Sequence, residues 1–248
     1  MKFFDLLKFK VFKFFLKKYE RAFNSFYKNK LNLKLVKLQK NGLNINTIYD
    51  IGAYRGEWSL DLSKKSLKGK EFILFEANEN NEKYLKNKNF NYFIEVLSDK
   101  KKQIKFYSKE HVGDSYYIEQ TNFYDDVKER LVDTNTLDFI VENEKLKLPD
   151  FVKIDTQGSE IDILKGSPKA LLNCKLIYLE CPIIEYNLGS PNFYEYIKYL
   201  NSIDYLPYEI CELHYIDEVL VQVDLLFIRK KYLKLINNKD KILKILSN

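Results

Sequence analysis

NTIYDIGAYRGEWSLDL, residues 46–62, decides how the chain is read. A run rich in β-branched and aromatic residues ends in Asp50, turns through Gly52 and Gly56, and enters a segment whose apolar residues recur with helical spacing. Gly52 and Gly56 let backbone approach a ligand where a Cβ would collide, and a helix start offers free amides and the positive end of a dipole. This strand, turn and helix have the order of a nucleotide-cofactor site, with a purely structural turn as the alternative. A dinucleotide fingerprint needs GxGxxG, yet Ala53 and Tyr54 stand where the second glycine and its neighbour belong. No Lys followed by Ser or Thr comes directly after Gly56, which excludes a phosphate-cradling P-loop. What remains is DxGxxxG.

Outward from this stretch, strands and helices alternate, which predicts an α/β fold with a mostly parallel sheet. Strands are expected at 46–51, 71–76, 91–97, 150–155, 175–181, 205–212 and 221–229, and helices at about 56–65, 79–87, 158–166 and 192–202. The last two strands are too close for a helical crossover, so they should pair antiparallel, about eight residues apart. Residues 103–148 interrupt the alternation with a strand-like QIKFYS, a loop HVGDSYYIEQTNFY and a short helix near Thr136 to Glu144. An irregular insertion at the carboxyl edge of such a sheet usually builds the substrate site. The organisation expected is a basic helical extension over 1–42, one domain over 43–230, and a basic tail over 231–248.

At 248 residues the chain suits one sizeable domain. Residues 1–40 hold 12 Lys or Arg against two acids, and residues 229–248 hold seven against one, leaving 22 basic and 32 acidic groups between them. An acidic body with basic ends argues against a nucleic-acid substrate, which needs a basic groove near the chemistry. Residues 3–18 form an amphipathic pattern, with Phe4, Leu7, Val11, Phe14 and Phe15 opposite Lys10, Lys13 and Lys17. That face is expected to pack on the domain or a second subunit, with an anionic lipid surface as the alternative. A second helix is expected over about 21–40, stopped by Asn41 and Gly42. Lys8, Lys10 and Lys13 break any signal-peptide core, and no stretch reaches the roughly 20 apolar residues of a membrane span. Cys174, Cys181 and Cys211 lack CxxC spacing and read as buried thiols of a cytoplasmic protein.

Several residues carry candidate chemistry. Asp50, Ile51, Gly52, Ala53, Tyr54 and Gly56 form the first turn around the cofactor. Glu76 ends the second strand, where a carboxylate can accept hydrogen bonds from both hydroxyls of a ribose. Ala77 follows it, and Asn78 is either a ligand contact or a helix cap. Leu97 and Ser98 sit where an adenine ring would be flanked. In KIDTQGSEIDILKG, residues 153–166, Asp155 ends a strand and Gly158 turns into a helix, which aims Asp155 into the same crevice. Trp58, in the first helical turn, reads as core, with a cofactor contact as the alternative.

The pattern DxGxxxG resembles class I S-adenosylmethionine methyltransferases. The ordered series DIGAYRG, FEAN, VLSD, GDSYY, NTLDFI, KIDTQGSEIDILKG, YLEC is similar to the FkbM family, over about residues 45–187. The resemblance implies a Rossmann-like, mostly parallel seven-stranded sheet with an antiparallel terminal hairpin, and S-adenosylmethionine as cofactor. The activity implied is methylation, mostly of hydroxyls on sugars, glycans and secondary metabolites, and Ser115 is implied at the cofactor's amino-acid end. The family more often carries an acid where this chain has Gln157. A sugar hydroxyl needs a base near the methyl group, for which Asp155 comes first, then Glu180 and His111, with His214 also within reach of the mouth. Asp155 and Glu180 are oxygen donors of the kind that hold Mg²⁺, but no third acid is apparent and no metal is assigned. The expected acceptor is a sugar, nucleotide sugar or polysaccharide precursor. Methylation of a nitrogen or phosphate group on a small metabolite, and a catalytically silent adaptor, are the alternatives.

Overall fold

A computed structural model describes residues 29–108, 113–120 and 127–233. The expected helix over 3–18, residues 21–28, His111 and the tail beyond residue 233 lie outside the described residues. Helix α1 over 29–40 places Leu31, Leu35 and Leu38 in the core, and it stops where Gly42 takes a positive φ of 94°.

The main sheet contains β1 (Thr47–Ile51), β2 (Glu71–Glu76), β3 (Asn91–Ile94), β6 (Phe151–Ile154), β7 (Leu176–Pro182), β8 (Tyr205–Ile216) and β9 (Val219–Arg229). A separate two-stranded ribbon pairs β4 (Gln103–Ser108) with β5 (Lys128–Asp133). The order in the main sheet is β3-β2-β1-β6-β7-β9-β8, parallel from β3 to β7, with β9 antiparallel to both of its neighbours. The mostly parallel sheet and its antiparallel terminal pair are those expected from the sequence.

Both faces of this sheet are covered, so its inner strands are apolar at nearly every position. TIYDI is buried throughout. Alternation then sorts each strand between two cores. Tyr49, Ile51, Ile73, Phe75, Val152, Ile154, Ile177 and Leu179 join one core. It includes residues of α4 (Leu137–Asn143), α5 (Glu160–Lys165) and α6 (Phe193–Ser202). Ile48, Phe72, Leu74, Phe151, Leu176 and Tyr178 face the other core, with α1 and α2 (Glu57–Lys64). Trp58 of α2 packs on Phe151 and Tyr178 as a core residue. All three cysteines are free and buried.

Four elements differ from expectation. The third strand ends at Ile94 rather than 97, because the chain turns away so that Leu97 can bridge Asn135. Residues 79–87 form only a 3₁₀ turn (Glu79–Asn81) and a four-residue α3 (Glu82–Leu85). The terminal hairpin pairs as far as Ile216 with Val219, so its turn is only Asp217 and Glu218 rather than eight residues. β5 has no counterpart in the sequence reading, since KERLVD is exposed or only partly buried at every position and carries no apolar face.

Candidate active site

In this strand order the chain leaves β1 toward β2 on one side and reaches β6 on the other. A crevice therefore opens beyond the carboxyl ends of β1 and β6, where ligands bind in open α/β sheets. A cleft of about 310 Å³ occupies this position. Its wall includes Ile51, Gly52, Tyr54, Glu76, Ala77, Leu97, Ser115, Asp155 and Glu180, nine of the residues expected at the site. Glu95, Val96, Phe106, Asp114, Thr156 and Gln157 line it as well.

The first turn is positioned by backbone. Gly52 and Ala53 donate to the carbonyl of Phe75 at 2.9 and 3.0 Å. Gly52 has φ of +73°, and a Cβ there would stand 1.9 Å from the carbonyl oxygen of Asp155. The close approach that requires glycine is therefore between the β1 and β6 turns of the chain itself. Gly56 and Ala53 do not line the cleft: Gly56 packs over Leu74 and Leu85, and Ala53 is buried.

Glu76 is 5% exposed and tightly held. Its Oε2 accepts from the Tyr54 amide at 2.6 Å, and its Oε1 accepts from the Asn78 amide at 2.9 Å and Asn81 Nδ2 at 3.2 Å. Burial pushes its carboxyl up to about 7, against the opposing pull of these hydrogen bonds. Asn78 is a cap rather than a cleft residue: its Oδ1 accepts from the Asn80 amide and its Nδ2 donates to Asp114. Ser98 is fully buried behind the cleft, bonded to Asp99 and Tyr116. Ser115 lines the cleft, but its hydroxyl donates to the Gln157 carbonyl at 2.8 Å and accepts from the Tyr117 amide.

Asp50 is the main departure. Its side chain is completely buried under the turn, accepting from Ser59 Oγ at 2.6 Å and paired with Lys153 Nζ at 3.0 Å. The expectation that it faces the cofactor gives way to a supporting position, because Asp50 points to the α2 side of the sheet. Lys153 also donates to the Gly52 carbonyl at 2.8 Å and stands 3.4 Å from Asp155 Oδ2. Burial opposes its charge, but Asp50 and Asp155 outweigh that and hold the ammonium above its ordinary range. One buried cation thus ties the β1 turn to the β6 turn.

Asp155 and Glu180 are brought together by Gln157, whose Nε2 donates to Asp155 Oδ1 at 3.3 Å and to Glu180 Oε2. Gln157 itself adopts a positive φ of 57°. Its loop is fixed by Glu160, which is 1% exposed and accepts from the amides of Thr156 and Gly158 and from Tyr196 Oη. Burial, with the neighbouring charges of Asp155, Asp224 and Glu160, pushes the Glu180 carboxyl well above its usual range. Beyond Glu180 stand His214 and Asp224, with one polar atom of each of the three within 4.8 Å of the others. Both Asp224 oxygens are engaged, Oδ2 by Tyr178 Oη at 2.7 Å and Oδ1 by His214 Nε2 at 2.9 Å.

Sequence reasoning does not single out Lys153, Tyr178 or Asp224, and reads Glu160 only as a carboxylate in the first turn of its helix. Three of them share a readable signal, a charged residue inside an apolar strand or helix start: FVKID, GSEIDIL and VDLLF. Buried charges must be paired, so such interruptions mark polar networks.

The Methyltransferase FkbM domain model matches residues 50–207. The chain belongs to the FkbM methyltransferase family. No curated protein matches the sequence. Among solved structures, an FkbM methyltransferase from Methylobacillus flagellatus KT is 18% identical with a TM-score of 0.47, covering 73% of this chain. The chain spans 43% of that protein's length. Magnesium protoporphyrin IX methyltransferase from Synechocystis PCC 6803, solved with S-adenosylmethionine bound, is 9% identical with a TM-score of 0.46, covering 81% of this chain and 77% of that one. Precorrin-6y C5,15-methyltransferase from Geobacter metallireducens GS-15 is 13% identical with a TM-score of 0.42, covering 78% and 85%. Among the described residues of this FkbM methyltransferase, no helix is long and apolar enough to cross a membrane. The matched domain ends at residue 207, so His214 and Asp224 lie beyond it.

Proposed function

We propose that this FkbM methyltransferase uses S-adenosylmethionine to methylate a hydroxyl of a sugar or polysaccharide precursor. The observation that carries the reading is the acidic lining of the crevice. Glu76, Glu95, Asp114, Asp155 and Glu180 line it, and among the described residues no Lys, Arg or His does. Such a wall favours a cationic sulfonium donor and disfavours a phosphate at the reacting end of the acceptor. The phosphates of a nucleotide sugar would therefore lie outside the cleft.

The residues present fit the donor. Glu76 is the ribose partner, with an acceptor oxygen held at the crevice by the Tyr54 amide. Val96, Leu97 and Phe106 supply an apolar wall for the base. Asp155 and Glu180 stand at the far side, where the positive methyl donor and the incoming hydroxyl would meet. The bound donor supplies an electrophilic methyl group and a neutral leaving group, so orientation contributes much of the acceleration.

Calorimetry with S-adenosylmethionine, followed by a screen of glycosides and nucleotide sugars for methyl acceptance, tests this. Binding with methylation of a carbon-bound hydroxyl supports it. Methylation at an amine would replace the hydroxyl reading, and absence of binding by a folded protein would favour the adaptor.

A further inference from the structure

The Nε atoms of Arg55 and Arg130 flank the Glu76 turn, buried and without a hydrogen-bond partner among the described residues. An unmet buried donor costs free energy, so another contact must hold each guanidinium in place. In both cases it is an aromatic ring. Arg130 on β5 stands opposite Phe106 on β4, with its guanidinium carbon 5.4 Å from the ring centre. Its outer nitrogens reach the Ala77 carbonyl at 3.1 Å and Glu79 Oε1 at 3.3 Å, which ties the ribbon to the Glu76 turn. Phe106 is the only buried residue of β4 and β5. Arg55 lies 4.8 Å from the Tyr54 ring and 4.3 Å from the ring of Tyr84 on α3. The cleft wall includes Tyr54 and Phe106 but neither arginine, so each aromatic residue stands between a guanidinium and the crevice.

We infer that Arg55 and Arg130 are positioning residues that decide which way the donor lies, by backing Tyr54 and Phe106 on the side away from the crevice. This rests on the proposed use of S-adenosylmethionine. Acids line both ends of the crevice, Glu76, Glu95 and Asp114 beyond β2 and β3, and Asp155 and Glu180 beyond β6 and β7. Attraction between acids and a sulfonium therefore does not choose between the two ends. The aromatic residues supply the missing asymmetry. A ring attracts a cation through the negative charge of its faces. A guanidinium already seated on one face draws on that charge, so the other face holds a second cation less well and takes a neutral, flat base in preference. The adenine is then favoured against Tyr54 and Phe106, and the sulfonium is left to Asp155 and Glu180. Neither arginine touches the donor; each acts through its ring. Arg130 adds a second constraint, since its grip on the Ala77 carbonyl fixes the turn that carries Glu76.

Calorimetry with S-adenosylmethionine and with S-adenosylhomocysteine, whose sulfur is neutral, tests this on the full chain. In Arg130→Met, affinity for S-adenosylhomocysteine should fall about 10-fold, and affinity for S-adenosylmethionine by no more than that. Arg130→Lys keeps a cation for the ring and should lose no more than about threefold. In a Phe106→Leu background, Arg130→Met should cost no more than about twofold, because the ring it acts through is gone. Arg55→Met with Tyr54→Leu forms a second cycle with the same expectation, and each cycle decides its own arginine. Circular dichroism confirms that each variant is folded; should Arg130→Met not fold, Arg130→Gln takes its place in the cycle. In the wild type, nuclear Overhauser contacts should join the adenine protons to the Phe106 ring, with none from the sulfonium methyl. Unchanged affinity in a folded arginine variant overturns the inference, as does an equal loss with and without the ring. A loss larger for S-adenosylmethionine than for S-adenosylhomocysteine, or a methyl contact to Phe106, overturns it as well. If the folded wild type binds neither ligand, it is the methyltransferase reading that fails.

Discussion

The two halves of the crevice are built in opposite ways. On the β1 and β2 side, amides of Gly52, Ala53, Tyr54 and Asn78 meet acceptors within the turns, and the Glu76 carboxylate is held by three donors. On the β6 to β8 side, the carboxylates of Asp155, Glu180 and Asp224 crowd one another, held apart by the Gln157 amide and balanced by Lys153 and His214. One half is preorganised for a ligand of fixed shape. The other stores like-charge repulsion that a cation or a proton relieves. This contrast is what a constant donor and a varying acceptor would require.

The largest effect should come from the cation that joins the halves. Lys153→Met leaves Asp50 buried without its ion partner, so unfolding stability should drop by about 3–5 kcal/mol in a denaturant titration. A loss below about 1 kcal/mol would show that Ser59 and water satisfy Asp50, and that the two turns are not coupled through Lys153. Next is Glu76→Gln, which retains an acceptor for the Tyr54 amide but removes the charge. S-adenosylmethionine affinity should weaken about 10- to 100-fold by calorimetry, with the fold unchanged. Unchanged affinity would place the ribose elsewhere.

The same division explains what was legible in the sequence. The β1 and β2 half is local: Gly52, Tyr54, Glu76 and Ala77 follow strand ends, and a strand end read from the apolar pattern fixes where such residues lie. Asp50 was misplaced because side-chain direction depends on strand parity. Ile48 and Asp50 both face α2, while Tyr49 and Ile51 between and beyond them face the other core. The β6 to β8 half is assembled by register between β7, β9 and β8, and register across an antiparallel hairpin with three irregularities is not encoded in any single segment. Asp224 therefore looked like a polar interruption in a terminal strand, and its link to Tyr178, 46 residues earlier, appears only in three dimensions.

Gln157→Glu sharpens the comparison on the crowded side. It replaces the amide that donates to both Asp155 and Glu180 with a third acid. The new carboxyl would have a folded-state pKa raised above its unfolded value by these neighbours, so its destabilising effect is absent at low pH and appears as pH rises past the unfolded value. Thermal unfolding should show the variant close to wild type near pH 5 and about 1–2 kcal/mol less stable near pH 8. A deficit that does not change with pH would mean that shape, not charge, is what Gln157 contributes.

The smallest expected effect tests whether the preorganised half is waiting for hydroxyl donors. Burial raises the Glu76 carboxyl to about 7 from an ordinary value of 4.5, so between those limits the folded protein holds a proton that the unfolded chain has released. Stability contributed by that proton is present below pH 4.5 and is lost as pH rises through 7. Two ribose hydroxyls donating to the carboxylate favour its charged form, so donor binding should lower the Glu76 pKa and expel the proton. Affinity for S-adenosylmethionine should then rise about fivefold from pH 6 to pH 8, with part of a proton released per donor bound at pH 6 and almost none at pH 8. Binding enthalpies measured at pH 6 in two buffers of different ionisation enthalpy count that proton, and Glu76→Gln should abolish the difference. Proton uptake instead of release would mean that the carboxyl donates to the ligand as a neutral acid, and that the β1 and β2 side binds through protonation rather than through charge.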